Sequence, residues 1–252
     1  MLQIKKLRCS RGNEQVLFDV DFQVEANKKL IVVGPNGCGK TTLLKAMAGL
    51  IPYDGKVKID GDDVSKLSKK EQAKKMALLA QTSTIYFPYS VYETVMQGRY
   101  VHLKDGLFKR EGVQDRKVVD DCLETVGLLE LRDKGIHELS GGQLQRVFLA
   151  RVFAQEPEII LLDEPTNHLD LRYQLELMTY LDQWVKKPGR LVIGVFHNMN
   201  LALSFADEIV MLKEGRVFAH QPVEALDLDL IDATFDVKVQ DHMRRSLKKW
   251  ER

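Results

Sequence analysis

The chain carries the stretch Gly34-Pro35-Asn36-Gly37-Cys38-Gly39-Lys40-Thr41, and this stretch decides its fold. An apolar run, Lys29–Val33, leads directly into it, and Thr41–Leu50 follows with the apolar spacing of a helix. Glycines permit backbone conformations that other residues avoid, so several consecutive N–H groups can point at one anion. The helix N-terminus adds the positive end of its dipole at the same place. A strand, this turn and a helix in that order predict a phosphate-binding loop.

The polar groups of this stretch have distinct predicted roles. The Lys40 ammonium is expected to approach the β- and γ-phosphates of a nucleotide, and the Thr41 hydroxyl supplies a hard oxygen for Mg²⁺. Cys38 stands where the pattern accepts any residue; it reads as a tolerated small side chain, with redox sensing as the alternative. The predicted nucleotide contacts of the stretch are Gly34, Pro35, Asn36, Gly37, Cys38, Gly39, Lys40, Thr41 and Thr42.

Two acids follow a second apolar run further along the chain. Ile159–Leu162 reads as a buried strand, and it ends at Asp163 and Glu164. Ligands of parallel sheets bind at the carboxyl ends of the strands, so both carboxylates are expected near the nucleotide. Asp163 suits coordination of Mg²⁺ through water, and Glu164 is free to orient an attacking water.

A second glycine-rich turn, Leu139-Ser140-Gly141-Gly142-Gln143, precedes a predicted helix, Leu144–Ala154. Its exposed N–H groups and the Ser140 hydroxyl form another anion site at a helix N-terminus. One nucleotide has no need of both loops from one chain. The simplest arrangement is a two-fold dimer in which each nucleotide lies between the phosphate-binding loop of one chain and this turn of the other.

Composition places the chain among ordinary globular proteins. Apolar residues make up 44% and charged residues 29% of its 252 positions, and the formal net charge is +1. This balance gives no global attraction to nucleic acid, and none is expected as a partner. No apolar run approaches the roughly 18 residues that a membrane helix needs. The three widely spaced cysteines fit neither a disulfide framework nor a metal site. We therefore expect a cytoplasmic protein, or one held at the cytoplasmic face of a membrane by a partner.

Together these motifs resemble the nucleotide-binding subunit of ATP-binding cassette (ABC) transporters, over about residues 1–222. Gln81 matches that family's Q-loop, Asp170 its D-loop and His197 its switch histidine, and all motifs occur in the family's order. The resemblance implies an α/β P-loop NTPase core with a mostly parallel sheet. It also implies an N-terminal antiparallel β subdomain, a helical subdomain inserted at about 85–153, and a C-terminal appendage at 223–252.

The resemblance further implies ATP hydrolysis with Mg²⁺ by a head-to-tail dimer. Glu164 would polarise the attacking water, His197 would contact the γ-phosphate, and Gln81 would touch Mg²⁺ and sense a permease. The implied Mg²⁺ ligands are Thr41, Gln81 and Asp163. In such a dimer the nucleotide would also meet Ser140, Gly141, Gly142, Gln143 and Asp170. Arg11 stands where the family usually stacks an aromatic ring on adenine, and a guanidinium can also stack on a flat ring.

Two short segments narrow the resemblance to one group of importers. Phe87-Pro88-Tyr89-Ser90-Val91 and Gly98-Arg99-Tyr100-Val101-His102 are similar to cassettes that serve iron-siderophore, haem and vitamin B12 importers. Val101 replaces a proline usual in that group, and Asn198 replaces a usual aspartate. The implied function is to power import of an iron chelate, haem or cobalamin through integral membrane permease subunits, with an external substrate-binding protein as an indirect partner.

Other functions remain open at this point. The chain could serve a different transported substrate, or act as a soluble ABC-type ATPase on ribosomes or DNA. Translation-factor cassettes come in tandem pairs, and DNA-repair cassettes place long coiled coils between their halves; this chain has neither feature. A non-hydrolysing regulatory cassette is disfavoured because Glu164 and His197 are both present.

Overall fold

A computed structural model describes residues 1–80, 88–103, 111–167 and 169–248. The chain divides into two compact units. The first unit comprises Met1–Ser65 and Ile193–Arg252, and the second comprises Lys66–Val192. The predicted division into an ATPase domain at 1–222 and an appendage at 223–252 stays a prediction.

The described chain contains both strands and helices. The strands are β1 (Leu2–Arg11), β2 (Glu14–Val24), β3 (Lys28–Val33), β4 (Asp54–Ile59), β5 (Asp62–Asp63), β6 (Met76–Leu79), β7 (Ile159–Asp163), β8 (Leu191–Val195), β9 (Glu208–Lys213) and β10 (Arg216–Pro222). The helices are α1 (Lys40–Met47), α2 (Lys69–Lys75), α3 (Val91–Met96), α4 (Val113–Thr125), α5 (Gly141–Ala154), α6 (Leu171–Val185), α7 (Met199–Phe205), α8 (Leu228–Phe235) and α9 (Val239–Leu247). A 3₁₀ turn at Gln97–Val101 follows α3.

The first unit holds an antiparallel sheet in the order β2-β1-β4-β5. Leu2 pairs with Val24 and Ile4 with Phe22, so the buried residues of β1 and β2 lie side by side on one face. This sheet confirms the antiparallel β subdomain predicted at the N-terminus. In the same unit β3 pairs in parallel with β9, and β10 adds to β9 antiparallel. The four residues that end β3 are all buried, as a strand covered on both faces requires.

The second unit contains the parallel pair of β6 and β7 and the helices from α2 to α6. All five residues of β7 are buried, and the strand ends at Asp163 as predicted. Helix α5 begins at Gly141, three residues before the predicted Leu144. The reason is local: Ser140 and Gln143 form a capping box that starts the helix inside the glycine pair.

The tail of the first unit is helical and docked on the strands. Lys213 at the end of β9 donates from Nζ to Ala233 O and to Asp236 Oδ1, both at 2.7 Å, and so holds the C-terminal end of α8. Ile231 and Thr234 of α8 are buried. The sequence also predicts an amphipathic pattern in the tail, but Trp250 and the side chain of Leu247 lie outside the described residues.

Candidate nucleotide-binding site

The phosphate-binding loop, residues 34–42, joins β3 to α1 in the first unit. A Cβ at Gly34 would lie 2.0 Å from Leu212 O of β9, so no side chain fits there. Gly39 is the N-cap of α1 with φ 103°, and a Cβ there would lie 2.7 Å from Leu17 Cδ2. Both glycines are therefore required by close packing as well as by backbone conformation.

Lys40 is the buried cation of this loop, with 6% of its surface exposed. Its Nζ donates to Gly34 O at 2.7 Å and to Pro35 O at 2.9 Å, so the ammonium lies inside the loop. An anionic phosphate forms a stronger, charge-assisted bond with an ammonium than a neutral carbonyl does. A bound phosphate can therefore compete with these two carbonyls for the Lys40 ammonium. Thr41 and Thr42 lie half-buried in the first turn of α1.

Cys38 lies within the same loop and is buried. Burial raises the pKa of its thiol, and the nearby Lys40 offsets this only in part. A protonated thiol is a poor nucleophile and is slow to oxidise. The structure therefore favours the interpretation of Cys38 as a tolerated small residue over that of a redox sensor.

His197 and Arg11 belong to the first unit as well, and both are exposed. The buried Phe196 directly follows β8, and His197 is the next residue. Asn198 then caps α7, accepting from Leu201 N at 3.2 Å, so the asparagine performs the capping that an aspartate also performs. Arg11 pairs with Glu14 at the tip of the β1–β2 hairpin.

Asp163 and Glu164 stand at the carboxyl end of β7 in the second unit. Asp163 is buried with 6% exposure, whereas Glu164 is half-buried. Glu164 has a φ of 53°, which is uncommon for a residue with a side chain. Asn167 holds this turn, because its Nδ2 donates to Glu164 Oε2 at 2.5 Å and its N donates to Glu164 O at 3.3 Å. These bonds fix both the backbone and the carboxylate of Glu164 at the end of β7.

The signature turn, residues 139–143, also lies in the second unit. Ser140 Oγ accepts from Gln143 N at 3.3 Å, and Gln143 Oε1 accepts from Ser140 N at 2.9 Å. Ser140 and Gly141 are exposed, whereas Gly142 is buried. Asp170 is exposed too, and it caps α6 by accepting from Tyr173 N at 3.0 Å. The turn thus satisfies its own backbone and leaves one side open to a ligand.

The segment that resembles importer cassettes supports the other end of α5. Arg99, with 5% exposure, donates from Nη1 to Ala154 O at 2.7 Å and to Glu156 Oε2 at 2.6 Å. His102 Nε2 donates to Gln155 O at 2.8 Å. Sequence reasoning assigned no role to these two residues. The Arg99 cation at the last carbonyls of α5 complements the helix dipole, and His102 donates to the carbonyl that follows. The two residues therefore cap the C-terminal end of α5.

Some residues of the predicted site and of the importer-like segments lie outside the described part of the chain. Gln81 and Phe87 fall in the undescribed stretch 81–87. Tyr89 is 41% exposed, and its carbonyl accepts from Ile136 N at 3.0 Å. Within the ranges that the structure describes, no group of three or more His, Cys, Asp or Glu side chains is placed to hold a metal ion. A hydroxyl such as Thr41 and a carboxylate such as Asp163 nevertheless fit Mg²⁺, which is commonly held by one or two protein oxygens together with phosphates.

Comparison with known proteins decides the family. A family model described as ABC transporter matches residues 17–167. The chain belongs to the ABC transporter family. The iron(3+)-hydroxamate import ATP-binding protein FhuC of Bacillus subtilis (strain 168) is 35% identical over 241 residues, which are 95% of this chain and 89% of that protein. The hemin import ATP-binding protein HmuV of Rhizobium etli is 38% identical over 242 residues, covering 93% and 88%.

Solved structures agree with this assignment. An inward-facing ABC transporter of metal-chelate type gives a TM-score of 0.79 at 27% identity, covering 92% of this chain and 88% of that chain. A dimeric bacterial ABC transporter cassette gives 0.78 at 27% identity, covering 90% and 100%. The fold is therefore the α/β fold of P-loop NTPases, and the chain is an ABC-type ATPase that binds ATP. Of the helices that the structure describes, none has the length and apolar character that crossing a bilayer demands.

Proposed function

We propose that this chain is the ATP-hydrolysing subunit that powers import of an iron chelate, a haem or a cobalamin through a partner permease at the cytoplasmic face of the membrane. The observation that carries the proposal is its 33–38% identity to ATP-binding proteins named for the import or transport of siderophores and hemin. The two sequence segments that resemble importer cassettes, Phe87–Val91 and Gly98–His102, support the same group. An external substrate-binding protein is then an indirect partner.

The roles of the site residues are proposals as well. Lys40 and the backbone of the phosphate-binding loop bind the nucleotide, and Arg11 stacks on its base. Glu164 accepts a proton from the attacking water, and His197 donates a hydrogen bond toward the γ-phosphate. The residues suited to hold Mg²⁺ are Thr41, Gln81 and Asp163. When bound, Mg²⁺ neutralises charge on the β- and γ-phosphate oxygens.

The second half of each ATP site is proposed to come from another copy of the chain. The exposed N–H groups and hydroxyl of the signature turn, Ser140–Gln143, would bind the γ-phosphate held by the partner's phosphate-binding loop, and Asp170 would lie at the same interface. The exposure of Gly141 at the first position of α5 supports the proposal, because an exposed helix N-terminus is suited to bind an anion.

The test is hydrolysis by the purified chain with and without its permease in vesicles. Glu164→Gln should keep ATP binding and lower kcat by at least about 100-fold, because the general base is lost. Glu214→Gln is the matched control, since Glu214 is exposed and also has a positive φ, 49°, but lies in the β9–β10 turn. Parental turnover in Glu164→Gln would remove that residue from catalysis. Co-purification with ribosomes or DNA instead of a permease would favour the alternative of a soluble ATPase.

A further inference from the structure

Gly142 of the signature turn is packed against an aromatic ring of the same chain. A Cβ added at Gly142 would lie 2.5–2.7 Å from Cε2, Cδ2 and Cγ of Tyr173. Cγ, the ring atom nearest the backbone, is among these contacts, so the whole ring would have to move. Gly142 is therefore a glycine because the ring of Tyr173 occupies the space of a side chain.

The neighbouring glycine differs. A Cβ added at Gly141 would meet nothing within 4 Å, and Gly141 is exposed whereas Gly142 is buried. The two glycines of the turn thus have separate requirements: the open side of Gly141 is available to a ligand, and the filled side of Gly142 is used by the chain itself.

Tyr173 connects this turn to the segment that carries Asp170. Its backbone N donates to Asp170 Oδ1 at 3.0 Å, and the guanidinium of Arg146 in α5 lies 5.6 Å from the centre of its ring. The residue before Arg146, Gln145, donates from Nε2 to the carbonyl of Pro165 at 3.3 Å, and Pro165 directly follows Glu164. The N-terminal turns of α5 and α6 are joined by these contacts.

We propose that Tyr173 is a positioning residue that fixes the signature turn against the Asp170 segment, and that its effect appears at the ATP site of the partner chain. The inference rests on the proposed head-to-tail dimer. Tyr173 is assigned no contact with nucleotide; it acts by holding Gly142, and through it the N–H groups of the turn, in place. A small misplacement of such donors is costly, because catalytic geometry tolerates about 1 Å or less.

A size-swap experiment tests the contact. Gly142→Ala should lower kcat by about 100-fold, because the added methyl displaces the turn itself. Tyr173→Ala should lower it by only about tenfold, and Tyr173→Phe, which keeps the ring, should match the parent. Gly142→Ala combined with Tyr173→Ala should regain activity up to the level of Tyr173→Ala alone, because the added methyl then has room. Nucleotide affinity of the isolated chain should stay unchanged in all of them. If the double variant stays as inactive as Gly142→Ala, the ring is not the reason for the glycine and the proposal is overturned.

A heterodimer experiment tests where the effect appears. Lys40→Ala inactivates one phosphate-binding loop and leaves one active site in a mixed dimer. When the other chain carries Tyr173→Ala, the surviving site combines that chain's phosphate-binding loop with the intact signature turn of the Lys40→Ala chain. Its kcat should match that of the dimer of parent and Lys40→Ala. With both substitutions on one chain, the surviving parental loop faces the disturbed turn, and kcat should fall by about tenfold.

The outcomes separate this inference from the proposed function. If the dimer of parent and Lys40→Ala loses no activity, or the parent does not hydrolyse ATP, the proposed function fails and the inference falls with it. If those controls behave as expected but the loss appears with the substitutions on separate chains, Tyr173 acts on its own chain's loop and only the inference fails. Equal losses in both arrangements, with lowered thermal stability, would give Tyr173 a general folding role and also overturn it.

Discussion

The phosphate-binding loop and the signature turn are both glycine-rich and both start a helix, yet they are built differently. In the phosphate-binding loop, Gly34 and Gly39 are forced by close contacts with Leu212 and Leu17, and Lys40 is buried against the loop's own carbonyls. The signature turn caps itself through Ser140 and Gln143 and leaves Ser140 exposed. One is enclosed by its own unit, and the other presents an open side.

The difference indicates which function each loop can perform alone. An enclosed loop with an internal cation can bind a nucleotide in the isolated chain. An exposed helix N-terminus binds an anion weakly unless another surface completes the site, because water competes for its N–H groups. Substitutions in the first loop should therefore affect binding, and substitutions in the second should affect turnover in the dimer.

The largest expected effect separates the two loops directly. Lys40→Ala should weaken ATP binding to the isolated chain, because a charge-assisted contact is lost. Ser140→Arg should leave that affinity unchanged and lower kcat by about 100-fold, because bulk and charge block the open side of the turn. Titration of ATP into dilute chain and steady-state hydrolysis measure the two quantities. A mixed dimer of Lys40→Ala and Ser140→Arg should keep one working site, whereas neither mutant homodimer has any.

Ser140→Arg also removes a helix cap, which costs about 1 kcal/mol by itself. Ser68→Arg is the matched control, because Ser68 caps α2 with the same capping box. If Ser68→Arg lowers kcat as much as Ser140→Arg does, loss of a cap explains the effect. The contrast between the two loops would then disappear.

The next prediction compares the glycines as determinants of stability. Gly34→Ala should destabilise the fold by about 3 kcal/mol, because the methyl has no space beside Leu212 O. Gly141→Ala should leave stability unchanged or raise it by about 0.5 kcal/mol, since alanine favours a helix and the position is open. Urea unfolding measures both. A stable Gly34→Ala variant would mean that the phosphate-binding loop is more adaptable than its contacts indicate.

The two loops also differ in how much of them the sequence predicts. The strand, turn and helix around Lys40 are predicted closely, because the pattern is contiguous. The contacts that require Gly34 and Gly39, with Leu212 and Leu17, are not part of that pattern. The surroundings of the signature turn are not predicted, because they depend on residues far apart in sequence. Tyr173 packs on Gly142, and Arg99 caps a helix 55 residues away at Ala154. No periodicity in the chain signals either contact. The start of α5, in contrast, can be predicted from the sequence, because Ser140 and Gln143 have the spacing of a capping box.

The cap on the far end of α5 gives a third prediction. Arg99→Met should lower the free energy of unfolding by about 3 kcal/mol, because Asp115 and Glu156 lose a buried cation. The same variant should lower kcat while leaving the ATP affinity of the isolated chain unchanged. Arg132→Met is the control, since Arg132 forms its ion pair with Asp120 at a more exposed site. Weakened ATP binding in Arg99→Met would contradict the separation of roles between the loops.

The smallest expected effect concerns pH and the carboxylate beside Arg99. Burial raises the pKa of Asp115, but bonds from Gly112 N and Arg99 Nε, each 3.0 Å, lower it by more, so the net pKa is lowered. A lowered pKa in the folded state means that the carboxylate stabilises the fold above its unfolded pKa of about 3.9, and that this stabilisation is lost as pH falls through the lower folded value. Asp115→Asn should therefore be less stable than the parent by about 1 kcal/mol at pH 7, and the gap should narrow only below about pH 4. Asp133 has a side chain that is 92% exposed, so Asp133→Asn should have the same stability as the parent at every pH tested. Urea unfolding at pH 7, 5 and 4 checks this, and a gap that already closes between pH 7 and 5 would show that Arg99 does not hold Asp115 as a carboxylate.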